Sequence, residues 1–282
     1  MRILLLTRMD RLSGARIAEA LIHAGESPVG IVAEQTLSLS PRALKTIQEA
    51  VRTHGILEIL RKGRQMFVTR ITLPFLRLFP PRGPFRTIQE LLAVHPIPNL
   101  VTDDINHSEV LKFVREKEPD LLLIANTGVL GKPLLEMAPK GCLNLHLSLL
   151  PKYRGLDSVF WALSRGEQEI GVTVHWVDDK IDHGPILLQK PIPVQRRETI
   201  EALTERAVAE GASLVVEAVQ KIASGQAKPT AQDEMKASYF SRFPLEERKK
   251  FRYALSGKIR VVHIITRLDR GGSSENTLLT LL

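Results

Sequence analysis

The chain is 282 residues long, 44% hydrophobic, with a formal net charge of +8. That is enough for one or two domains with a sizeable core, and the charge points to phosphate-bearing or other anionic partners. No uninterrupted apolar run reaches the roughly 18 residues that a membrane span needs, and Arg8, Asp10 and Arg11 break the apolar amino terminus in a way no signal peptide does. The single cysteine, Cys142, excludes an intrachain disulfide framework and fits a reducing cytoplasm, and no Cys/His cluster has metal-ligand spacing.

Residues 2–7 predict a buried first strand. Ser13 is placed to cap a helix running to about Ala24, which Gly25 ends, and Pro28 to Ala33 predicts a second strand. This β-α-β opening is expected of a parallel sheet. The loop between strand and helix, Arg8 to Gly14, is not Gly-x-Gly-x-x-Gly, so no dinucleotide fingerprint is present.

Residues 37–90 differ in character. Ten Arg and Lys residues, from Arg42 to Arg86, stand against Glu49, Glu58 and Glu90. Between Ile59 and Phe79 the basic residues interleave with Met66, Phe67, Phe75 and Leu76, and Pro74, Pro80 and Pro81 break any long helix. A basic, partly helical insertion packed on the domain is expected. Contact with an anionic membrane through 59–80, or with nucleic acid, is the functional alternative.

Asn106 with Glu109 suggests a capped helix to about Lys117. Asp120 to Ala125 predicts a central strand, followed by the loop Asn126-Thr127-Gly128-Val129-Leu130-Gly131. Pro133 to Met137 reads as a short helix, and Gly141 starts another apolar strand containing Cys142, read as core. A helix over 156–164, strands over 171–177 and 185–194, and a long amphipathic helix from Thr199 to Ala223 follow. Pro191 and Pro193 mark the last strand as an edge. Tyr239 to Arg242 falls in a polar, irregular stretch expected to pack back on the domain.

The chemistry concentrates in Gly141–Gly155. A strand delivers Asn144 and His146, two residues apart and so on one side, into a loop carrying Ser148, Pro151, Lys152, Tyr153, Arg154 and Gly155. Downstream, the loop after His175 holds Asp178, Asp179 and Asp182, with Gly184 two residues after the last.

Asn144-x-His146, then Ser148-Leu-Leu-Pro-x-Tyr-Arg-Gly155, then Asp182-x-Gly184 resembles the folate-dependent formyltransferase family. That family includes methionyl-tRNA, glycinamide ribonucleotide and sugar-nucleotide formyltransferases. The motif match runs from about Asp120 to Val194, with a weaker echo in residues 1–36. The resemblance implies N10-formyltetrahydrofolate as co-substrate, without a metal. It implies that the Asn126–Leu130 loop (Asn126, Thr127, Gly128, Val129, Leu130) lies against the pterin, largely through backbone groups, and Asp179 is assigned to the same folate site. It also selects Asp182 among the three acids, because the family's Asp precedes x-Gly and lies seven residues after a His. Asn144, His146 and Asp182 are then the catalytic residues: amide and imidazolium donors for the oxyanion, and a carboxylate for proton transfer. Ser148, Lys152, Tyr153, Arg154, Gly155 and His175 are assigned to the amine acceptor, with His175 equally readable as support for the catalytic residues or as core.

The expected protein is therefore α/β, with a Rossmann-like, mostly parallel sheet flanked by helices, a helical basic insertion and a C-terminal β-α stub. Residues 1–195 would form the catalytic domain and 196–257 a helix and irregular segment packed on it. Residues 258–282 resemble the truncated start of a GT-B glycosyltransferase domain, and Thr266–Arg270 echoes Thr7–Arg11. Because that resemblance places the chain near glycan assembly, and no series of short alternating strands follows residue 225, an amino-sugar nucleotide is the first expected acceptor and initiator methionyl-tRNA the second. Hydrolysis of the same folate and a non-catalytic basic binding protein are the remaining alternatives. The expected location is cytoplasmic, with possible peripheral contact to an inner membrane.

Overall fold

The computed structural model describes residues 1–9, 12–35, 76, 81, 83–196, 198–244 and 247. Most of the basic insertion and the whole 258–282 stub, on which the glycosyltransferase resemblance falls, lie outside the described residues.

The strands are β1 (Ile3–Arg8), β2 (Gly30–Glu34), β3 (Asn99–Thr102), β4 (Leu121–Ala125), β5 (Cys142–His146), β6 (Arg154–Gly155), β7 (Glu169–Trp176), β8 (Ile186–Pro193) and β9 (Tyr239–Phe240). The helices are α1 (Leu12–His23), α2 (Ile88–Val94), α3 (Ser108–Lys117), α4 (Lys132–Leu135), α5 (Ser158–Ser164) and α6 (Ile200–Ala223). Seven strands form one sheet in the order β3-β2-β1-β4-β5-β7-β8, and β6 pairs with β9 in a separate ribbon. β3 to β5 across the sheet are parallel, and β7 and β8 continue it as antiparallel neighbours. β8 takes the edge that its two prolines require.

Period-two burial explains the layers. In β1, Ile3 and Leu5 join one apolar cluster with Ala15, Leu21, Ile88, Leu91 and the inner face of α6. Leu4 and Leu6 join a second cluster with Val110, Val114, Leu134 and Cys142. A parallel strand covered by helices on both faces must be apolar throughout, and Ile3 to Leu6 are wholly buried. In β5 the odd residues Leu143 and Leu145 face the first cluster. Asn144 and His146 therefore emerge on the opposite face, the side of Cys142.

Several boundaries differ from expectation. Ser13 lies inside α1 and is buried, so it is not the cap. Gly25, at a φ of 77°, does end the helix, and Glu26 N–H bonds back to Leu21 O. α3 is capped by His107, not Asn106. Asn106 instead ties down the loop after β4, donating to Val129 O at 2.9 Å and accepting from Gly131 N at 2.6 Å. The carboxyl end of the presumed insertion belongs to the core: Phe85, Ile88 and Leu91 are buried, and Thr87 caps α2. Tyr239–Phe240, read as irregular, is β9.

Cys142 is buried against α4, its thiol 3.6 Å from Leu135 O, and burial pushes its pKa to about 12. Almost no thiolate forms at neutral pH. Native protein should resist iodoacetamide, and full labelling should appear only in denaturant, as read by intact mass. Prompt labelling of the native protein would place this thiol outside the core.

Candidate active site

β1 and β4 are adjacent, yet the chain runs outward from them in opposite directions. In an open α/β sheet the loops beyond the carboxyl ends of strands at such a switch point form a crevice. The 126–131 loop leaves β4 there, and the end of β5 lies beside it, with Ile124 opposite Asn144.

β5 and β7 then place the first polar group. Asn144 pairs directly with His175 and His146 with Thr173. Cross-strand partners share a face, so Asn144, His146 and His175 converge on it. The loop after β7 brings Asp182 into their midst. Asn144 Nδ2 donates to Asp182 Oδ1 at 3.2 Å and lies 3.1 Å from His175 Nε2. The Gly155 N–H donates to Asp182 Oδ2 at 2.8 Å. His146 Nδ1 is 3.5 Å from Oδ2, and His175 Nε2 is 3.6 Å from Oδ1.

Backbone carbonyls fix the imidazoles. His146 Nε2 faces Tyr153 O at 2.8 Å and His175 Nδ1 faces Trp176 O at 2.8 Å. A carbonyl only accepts, so each of those nitrogens carries its hydrogen. Only the doubly protonated His146 ring can donate to Tyr153 and Asp182 together. His175 Nε2, when bare, accepts one Asn144 hydrogen and so orients the amide.

Two glycines are required by close approach. A Cβ on Gly184 would collide with the Trp176 carbonyl, and one on Gly155, at a φ of 93°, would collide with the Phe240 carbonyl. This gives the Asp-x-Gly and Tyr-Arg-Gly patterns a steric reason. Asp182 itself sits at a φ of 49°, in the left-handed region that Asp tolerates better than most residues.

Other expected residues are placed differently. Ser148 is buried, donating to Lys152 O at 2.9 Å. Tyr153 is buried, its hydroxyl on Glu167 at 2.8 Å and its ring stacked on Phe240. Arg154 is buried, its guanidinium held by Glu234 at 2.6 Å and Gln232 at 2.8 Å. These three side chains face inward rather than toward an acceptor, because the loop packs its long side chains under the 232–240 segment. Lys152 is exposed, with its ammonium 3.7 Å from Glu167. Gly155 enters the cluster through its N–H alone. His175, 1% exposed, belongs to the cluster and not to the cleft wall. Asp179 is exposed on the turn, whereas Asp178 accepts from Lys180 N and pairs with His183.

In the 126–131 loop, Asn126 adopts a φ of 66°, and its Nδ2 reaches Ser13 Oγ at 3.5 Å. Thr127 Oγ1 donates to Gly128 O at 2.9 Å, and Gly128 N donates to Glu34 Oε2 at 3.2 Å. Glu34 is itself paired with Arg8 at 3.0 Å. Leu130 packs on the second cluster, while Val129 is 76% exposed. The loop is thus pinned at both ends, with its middle open. Sequence reasoning missed the pins, Glu34 and Asn106, and also Gln232 and Glu234. The last two stood in a polar stretch with no periodicity to mark them.

The fold is similar to the one that the formyltransferase resemblance implies, and known proteins of similar sequence and fold point the same way. A family model described as Formyl transferase matches residues 89–219. Methionyl-tRNA formyltransferase of Trichlorobacter lovleyi is 38% identical over 153 residues, covering 54% of this chain and 48% of that protein. The Thermotoga maritima protein of the same name is 34% identical over 190 residues, covering 65% and 59%. The chain thus spans about half the length of the curated relatives it matches. Among solved structures, the fold resembles a Helicobacter canadensis N-formyltransferase solved with folinic acid and dTDP-3-aminofucose. Its TM-score is 0.58 at 17% identity, covering 86% of this chain and 71% of that one. Phosphoribosylglycinamide formyltransferase of Bacillus halodurans gives 0.53 at 20%, covering 79% and 96%. The match to the formyl transferase family covers residues 89–219, a little under half of the chain.

Burial alone would raise the Asp182 pKa, but His146, His175 and the Gly155 N–H together hold it well below the usual carboxylate range. A group whose folded pKa is depressed stabilises the fold above its unfolded pKa, here near 3.8, and loses that contribution as pH falls. Asp182→Asn should therefore be less stable than the parent above about pH 5, with the gap closing as pH falls below about 4. Urea unfolding across that range measures it. A gap that does not close below about pH 4 would contradict an ionised Asp182.

Proposed function

We propose that the chain transfers a formyl group from N10-formyltetrahydrofolate to a primary amine. The observation that carries this is one mostly enclosed carboxylate, Asp182, its side chain 12% exposed, joined to an amide and two imidazoles beside an open, pinned backbone loop. The 126–131 loop suits a flat heterocycle, with Val129 exposed and the backbone at Gly128, Val129 and Gly131 held by Glu34 and Asn106. Formylfolate supplies the activated formyl group.

The amine nitrogen attacks the formyl carbon, a C–N bond forms, and negative charge develops on the formyl oxygen. The Asn144 amide and the His146 imidazolium are the donors available to that oxygen, each worth roughly 3–4 kcal/mol by the measure of oxyanion-hole deletions. Asp182, ionised, takes the proton lost by the attacking amine, directly or through water, and His146 returns one to the folate nitrogen as its bond to carbon breaks. No covalent enzyme intermediate is needed, and Cys142 and Ser148 are buried with other partners.

For the acceptor, the sequence relatives named methionyl-tRNA formyltransferase favour methionyl-tRNA over the amino-sugar nucleotide expected from the sequence beyond residue 225. Purified protein should be assayed with formylfolate and, separately, charged initiator tRNA or a dTDP-linked amino sugar. Turnover with tRNA alone supports the first acceptor and turnover with the sugar alone the second. Formate release that needs no acceptor would make the protein a hydrolase.

Asn144→Ala, His146→Ala and Asp182→Ala should each lower turnover by about 10²-fold or more, while the thermal transition stays cooperative. A folded Asp182→Ala protein with near-parental turnover would sink the proposal.

A further inference from the structure

Residues 230–243 run back across the two loops that carry the cluster. Thr230 exchanges both backbone hydrogen bonds with Ile186 at 2.8 Å, anchoring the segment to β8. Ser238 accepts from Tyr153 N through its hydroxyl and from Arg154 N through its carbonyl. Phe240 O accepts from Leu156 N, and Ser241 O takes the Trp161 indole N–H. Between these anchors lies Gln232. Its Nε2 donates to Asp182 O at 2.9 Å and to Gly184 O at 2.8 Å. Its Oε1 accepts from Arg154 Nη2 at 2.8 Å and Nε at 3.2 Å. Every polar atom of the side-chain amide is used, on three different backbone or side-chain groups.

We infer that Gln232 is a positioning residue for Asp182. The peptide at Asp182 is in the left-handed region, which for a non-glycine residue persists only where the surroundings over-determine it. One amide bridging the carbonyls on either side of His183 supplies that constraint from the main-chain side, while the Gly155 N–H supplies it from the carboxylate side. The Arg154 guanidinium, itself clamped by Glu234, holds the Gln232 oxygen and so fixes which way the amide faces. Gln232 touches no reacting atom. It sets the direction in which the Asp182 carboxylate leaves its loop, and through it the distance to His146 Nδ1. The inference rests on the formyl-transfer proposal for its kinetic consequence, but its structural consequence stands apart from any activity.

The test uses the full chain with Gln232→Ala, Gln232→Glu and Glu234→Ala. Gln232→Glu keeps an oxygen for Arg154 and loses both N–H donors. Glu234→Ala loosens Arg154 and leaves both donors in place. The Gly155 amide proton, bonded to a carboxylate, should resonate well downfield in an NMR spectrum of the parent protein. Both Gln232 variants should move that resonance upfield, and Glu234→Ala, which leaves both donors in place, should move it less. Turnover in both Gln232 variants should fall by about 10- to 100-fold, as expected for a catalytic group displaced by an ångström or less. The KM for formylfolate should stay within about twofold, since ground-state binding of the pterin is untouched. If Gln232→Ala does not fold, Gln232→Glu decides alone. An unmoved Gly155 resonance in Gln232→Glu overturns the inference, as does an equal loss in Glu234→Ala, which would assign the effect to Arg154. A parental protein without formyl transfer would sink the functional proposal and leave the resonance test intact.

Discussion

The site is organised by the removal of one negative charge from water. An isolated carboxylate transferred to a protein interior costs several kcal/mol unless donors replace the lost hydration. Asp182 has an N–H from Gly155, an amide from Asn144 and two imidazole edges around it. These come from β5 and β7, neighbours in the sheet, from the loop after β7, and from the ribbon strand β6 outside it. Misplacing any of those strands leaves the charge uncompensated, so the chemistry of the site and the assembly of this half of the sheet are the same problem.

The parallel half has a separate task. β1, β2 and β4 are apolar on both faces and carry the helices that bury them. Their loops, freed from any part in the core, meet at the switch point. There the 126–131 loop is fixed by Glu34 from β2 and by Asn106 from the turn before α3. The rigid loop thus derives from one half of the sheet and the polar cluster from the other. Two reactants meeting at the junction would be held by elements of one hydrogen-bonded sheet, with Ile124 paired to Asn144, which favours a fixed separation between binding loop and reacting groups.

What could be seen in the residues follows from the range of each interaction. The strands were visible because burial on both faces leaves an unbroken apolar run, and α6 because its apolar positions recur at helical spacing. Asn144 and His146 were visible because two residues in a strand share a face without help from elsewhere. The direction of Tyr153 and Arg154 was not. Their positions in a loop beside a cluster suggest exposure, and only the return of residues 232–240, some 80 residues later, turns them inward. Asn106 was misplaced as a cap by one residue because a cap and a loop clamp use the same short polar side chain, and only the fold decides which N–H it meets.

The resting arrangement also constrains how it can act. Both hydrogens of the Asn144 amide point to partners inside the cluster, and both His146 nitrogens face acceptors. For formyl transfer, a developing oxyanion must therefore compete for donors already in use. The competition is uneven. The Tyr153 carbonyl is held through the 230–243 segment and lies 2.8 Å from its imidazole. The two imidazole-to-carboxylate separations, 3.5 and 3.6 Å, exceed a well-made hydrogen bond. Charge developing near the Asp182 edge of His146 therefore displaces the weakest contact, not the strongest. A site built this way keeps its anion compensated when empty and yields its donors where an entering reactant needs them.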